Sequence, residues 1–134
     1  MKTQNFRRQH DELVGIVGEL MPLLSVSKIA ENPKLVHSLM SKFSGKLKAH
    51  LSMEDSILYP AIMNSEYSAL ATKYEGEMTA LKPAIEGFFR KYINIKTLEE
   101  NAQEFINELI QIVDILKKRI DAEHRELYPL YEKL

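Results

Sequence analysis

Four side chains interrupt helical stripes that are otherwise apolar: His10, His50, Glu54 and Glu123. His10 follows Phe6 by four positions and precedes Leu13 by three. His50 follows Leu47 by three, Glu54 lies four beyond His50 and four before Leu58, and Glu123 falls between Ile120 and Leu127. Each spacing puts the polar residue on the face that should meet the core. A carboxylate buried there needs a cation, a proton or several donors. His50 and Glu54, at i and i+4, project side by side and suit two ligands of one ion. With His10 and Glu123 they make a mixed imidazole–carboxylate set that suits non-haem iron and, less selectively, manganese or zinc. The competing reading is structural and needs no metal. A core histidine is simply hydrogen-bonded, Glu123 pairs with Arg119 four residues earlier, and Glu54 pairs with a lysine that snorkels inward.

The other candidates for chemistry are weaker. His124 sits beside the stripe near Tyr128, where it supports rather than ligates. His37 lies roughly 220° around its helix from His50 and reads as a surface residue. Tyr59 and Tyr128, each followed by proline, are explained by packing near helix ends. No Ser-His-Asp order, phosphate loop or dinucleotide fingerprint occurs, so catalysis is not indicated. Cysteine is absent, which excludes thiolate sites and disulfides and leaves any metal to nitrogen and oxygen ligands. A formal charge of −1 offers no field for nucleic acid or an anionic membrane. Basic residues cluster only at Arg7-Arg8 and Lys117-Lys118-Arg119. No apolar run is long enough to span a bilayer, and a cytoplasmic location is expected.

The elements that position these residues are helices. With 134 residues, 45% of them hydrophobic, the chain suits one domain, taken as 1–134, with a real core. No segment alternates as a half-buried strand does. The periodicity predicts a first helix over 3–30, disturbed at Pro22, and a second over 33–63 opened by Asn32 and Pro33. A third over 66–93 carries Pro83, which predicts a kink or break. Thr97 with Glu100 resembles a capping box opening a fourth over 97–134. The second helix shows Val36, Leu39, Met40, Phe43, Leu47, Ile57, Leu58 and Ala61 on one stripe. The fourth shows Phe105, Leu109, Ile112, Val113, Leu116, Ile120, Leu127 and Leu130. Short connections between long helices predict an all-α, up-down-up-down antiparallel four-helix bundle.

A local repeat links the second and fourth helices. Residues 50–60 match residues 119–129 at a constant offset of 69, each reading Glu-x-x-x-Leu-Tyr-Pro from its fifth position. Glu54 and Glu123 therefore stand at equivalent places, as do His50 and Arg119.

An early histidine, His-x-x-x-Glu before Leu-Tyr-Pro and a second Glu-x-x-x-Leu-Tyr-Pro together resemble the hemerythrin-like (HHE cation-binding) family. The resemblance spans nearly the whole chain and implies a four-helix bundle with a non-haem di-iron centre, used for oxygen binding, iron storage or sensing of oxygen, nitric oxide or iron. It assigns His10, His50, Glu54 and Glu123 as ligands. The family's histidine four before the last carboxylate is Arg119 here, and its third-helix histidines fall on Tyr74 and Met78. These departures fall chiefly on one of the two irons, so one half-site looks lost. Arginine stays protonated and cannot ligate; its charge is expected to substitute for the second metal and to hold Glu54 and Glu123 ionised. Three outcomes follow: one metal at the four residues; two, with Tyr74, Glu77 or His124 as unorthodox ligands; or none, in a bundle that acts as a protein-binding regulatory module. In the first two, a small diatomic molecule is the expected ligand.

Overall fold

Proline, serine and asparagine cut the chain where helices must end. The computed structural model describes residues 2–134, and every regular element among them is a helix. The first expected helix proves to be two. Helix α1, Gln4–Leu20, tightens into a 3₁₀ turn over Met21–Leu23 that contains Pro22. Ser25 is then extended, and its hydroxyl accepts from the Lys28 N–H to open α2, Val26–Glu31. A proline that donates no backbone bond, followed by a good N-cap, favours a restart over a kink.

Helix α3, Pro33–Met53, begins with proline in its first turn as expected. Asn32 does not cap it; its side-chain amide donates back to the Lys28 carbonyl and closes α2. Helix α4 is Tyr59–Met63 and α5 is Ser68–Tyr92. Pro83 does not break α5: it leaves the Thr79 carbonyl without its helical donor, but both residues are exposed, so that carbonyl is not buried unpaired. The capping box at Thr97 does not form. Asn94 instead accepts from the Lys96 N–H to open α6, Ile95–Glu100, and Thr97 accepts from Asn101 at the α6 end. The remaining helices are α7, Ala102–Ala122, and α8, Tyr128–Lys133.

Between α3 and α4, and again between α7 and α8, the helix widens into one π turn, Glu54–Leu58 and Glu123–Leu127. The Tyr59 N–H reaches back to the Glu54 carbonyl and the Tyr128 N–H to that of Glu123, five residues rather than four. The repeat in sequence is thus a repeat in backbone. The extra residue rotates everything after it, so Ile57, expected on the core stripe, is 45% exposed while Leu58, Tyr59 and Ile62 are buried. Ala61, Ile120 and Leu130, expected inside, are half-buried.

Helix α1 packs on α3, α4 on α5 and α8, and α5 on α7. The apolar core is divided in two. One cluster holds Leu13, Leu47, Met78 and Leu116; the other holds Phe6, Leu58, Tyr74 and Leu127. Along α1, His10 falls between Phe6 and Leu13. His50 and Glu54 fall between Leu47 and Leu58, and Arg119 and Glu123 between Leu116 and Leu127. A polar layer is therefore enclosed by two apolar ones.

Candidate metal centre

Each side chain of that layer is aimed by its own helix. His10 from α1, His50 from α3, and Glu54 and Glu123 at the mouths of the two π turns are 1–3% exposed. One donor atom from each lies within 4.8 Å of all the others. His10 Nε2 is 2.9 Å from His50 Nε2 and 3.7 Å from Glu123 Oε2, and His50 Nε2 is 3.3 Å from Glu54 Oε1. An ion bound at about 2.0–2.2 Å to nitrogen and oxygen spans at most about 4.4 Å between opposite ligands, so a slight contraction suits the set to one ion.

Burial pushes the groups toward neutrality. The pKa of His10 is pushed down to about 2, first by desolvation and then by His50, His124 and Arg7. Desolvation also lowers His50, against the pull of Glu123. Both carboxyls rise for the same first reason, desolvation, and the neighbouring Glu54 raises Glu123 further, well above its ordinary value. Burial thus favours the neutral forms at these close His–Glu contacts, and the charge of Arg119, which pulls both carboxyls down, does not offset it. His50, whose Nδ1–H is held by Gln9, keeps its Nε2 lone pair, whereas His10 accepts from His124 at Nδ1 and would release its Nε2 proton on binding an ion.

Neither structural pairing expected for the carboxylates occurs among the described residues. No lysine reaches Glu54, and Arg119 pairs with Glu77, at 3.2 Å, and not with Glu123. Arg119 is 9% exposed, donates to the Tyr74 carbonyl at 3.1 Å and the Tyr59 hydroxyl at 3.3 Å, and lies over the Tyr74 ring. The Tyr74 hydroxyl turns to Glu126, and Glu77 is half exposed, so neither joins the group of four. His124 stands behind His10, Nε2 to Nδ1 at 2.7 Å, and accepts from Arg7 at 3.1 Å. His37 is half-buried on the far end, bonded to the Ile93 carbonyl.

Two residues that packing seemed to explain belong to the centre or its support. The Tyr128 hydroxyl lies 3.1 Å from His10 Nε2, 3.1 Å from Glu54 Oε2 and 3.0 Å from Glu123 Oε2. Tyr59 receives Arg119. Gln9, which no motif marks, accepts from His50 Nδ1 at 2.8 Å and leaves Nε2 facing the centre. The signal for the tyrosines was the repeated Leu-Tyr-Pro, since a π turn stacks residue i+5 beside residue i.

A family model, the hemerythrin HHE cation-binding domain, matches residues 1–131. The chain belongs to that family. No curated protein and no solved structure matches it. What the hemerythrin-like domain brings to one point is a cluster of two histidines and two glutamates with the donor chemistry for a cation. A cavity of about 40 Å³ adjoins it, walled by Leu13, Val17, Phe43, Leu47, Met78 and Leu116 and reaching His50, Arg119 and Glu123. By the measure in which one water needs about 10–15 Å³, it has room for one small molecule. No helix among the described residues is long and apolar enough to cross a membrane.

Proposed function

We propose that this hemerythrin-like domain binds a single iron ion through His10, His50, Glu54 and Glu123 and uses it to bind or sense a small ligand such as oxygen or nitric oxide. The observation that carries the reading is the convergence of four buried donors from three helices, with no lysine or arginine paired to either carboxyl among the described residues. Iron is preferred over manganese or zinc because imidazole and carboxylate together are its common oxygen-chemistry ligands. Bound there, iron would supply an open coordination position. The chain's own part is to keep His50 oriented through Gln9, hold the Tyr128 hydroxyl at the donors, and admit an apolar molecule through the adjoining cavity.

One half of a two-site centre has been lost, with Tyr74 and Met78 buried on α5 where further histidines would serve. The long helices are read as an up-down-up-down bundle forming one domain over 1–134, acting in the cytoplasm without nucleic acid or membrane. Anaerobic loading with iron(II), followed by nitric oxide, tests the ligand: a new visible absorption band that His50→Ala lacks is expected. Loaded protein with no spectral response to nitric oxide or oxygen would contradict it.

A further inference from the structure

We propose that Arg119 is the residue that limits the centre to one ion, its guanidinium holding the position of a second histidine–carboxylate pair. The inference rests on the metal reading above and specifies it. Arg119 stands four residues before Glu123 as His50 stands four before Glu54, and each glutamate ends a long helix and opens a π turn. The two glutamates share backbone angles, φ −62 and ψ −44 for Glu54, φ −62 and ψ −42 for Glu123. Arg119 therefore leaves its helix in the same relation to Glu123 that His50 has to Glu54.

The difference is chemical. An imidazole offers a lone pair; a guanidinium has only donors and stays charged. Its donors are already engaged by Tyr59, the Tyr74 carbonyl and Glu77, so it is anchored beside the centre and not free to swing away. Glu77 answers the charge of Arg119, so what the guanidinium denies a second ion is a lone pair. The four donors converge on the side of His10 and His50, and the place of Arg119 offers a cation N–H groups instead.

Iron(II) added without oxygen, followed by desalting and measurement of iron per folded chain, tests this in the wild type, Arg119→Lys, Arg119→His and Arg119→Gln. Wild type and Arg119→Lys are expected to hold one. Arg119→His, which repeats the His-x-x-x-Glu pattern beside a freed Glu77, is expected to approach two. Arg119→Gln supplies an uncharged oxygen donor and is expected to exceed one, which keeps the test open if the histidine variant fails to fold. A wild type with two ions, or folded His and Gln variants that stay at one, would overturn the role of Arg119. A wild type with none would overturn the metal reading itself, so the two failures are distinguishable.

Discussion

Burial moves the two kinds of titratable group in this centre in opposite directions, and the pH dependence of stability follows from the signs. His10 and His50 have folded pKa values below the ordinary 6.5, so below that pH the unfolded chain takes up protons that the native state refuses. Stability is then lost as pH falls, by up to about 1.4 kcal/mol per unit for each imidazole. Glu54 and Glu123 have raised values, so above 4.5 the native state holds protons that the unfolded chain releases, and stability is lost as pH rises toward their folded values. Between 4.5 and 6.5 the two effects oppose. Chemical denaturation of chelated protein should therefore show greatest stability in mildly acidic buffer; a steady rise from pH 5 to pH 8 would contradict it. Tyr128→Phe removes a hydroxyl shared by three buried groups and should cost about 1–3 kcal/mol in the same assay; an unchanged midpoint would show that the hydroxyl is dispensable. The four principal residues were readable in sequence because a polar residue on an apolar stripe is conspicuous. Tyr128 was not, since on a regular helix a residue five positions on points roughly 140° away from Glu123.

The two π turns are what the helical periodicity could not reveal. The stripes of α3 and α7 were readable up to Glu54 and Glu123 save for the half-buried Ile120, and Leu58 and Leu127 beyond them are buried as expected; the reading failed at Ile57, inside the first π turn, where the inserted residue shifts the phase. Helices α2 and α6 were hidden for a different reason. Ser25 and Asn94 open them through short-range hydrogen bonds that periodicity does not report. The phase shift has a direct test. Ile57→Asp, at an exposed position that a regular helix would bury, should change stability by no more than about 0.5 kcal/mol. Leu58→Ala, fully buried, should cost about 2–5 kcal/mol. The reverse order in urea denaturation would mean that α3 runs on as a regular helix.

For the whole molecule, the polar layer lies between two apolar clusters that are each complete without it, so the fold is expected to survive without metal and to tighten with it. A ligand that binds only the native state adds about 2.7 kcal/mol at one hundred times its Kd, which for a chain of this length raises Tm by about 10 °C. The all-helical class and the family were both readable from sequence, because His-x-x-x-Glu and the doubled Leu-Tyr-Pro place ligands and helix ends together. What the sequence left open was which alternative partners the buried carboxylates have, and the structure removes lysine and Arg119 from that role. The measurement that bears most directly on the central claim is iron per chain in protein purified without chelator, beside His50→Ala and followed by melting with added iron(II). Close to one iron is expected in the wild type, little in the variant, and a rise in Tm confined to the wild type. A metal-free wild type whose melting is unmoved by iron(II) would contradict it.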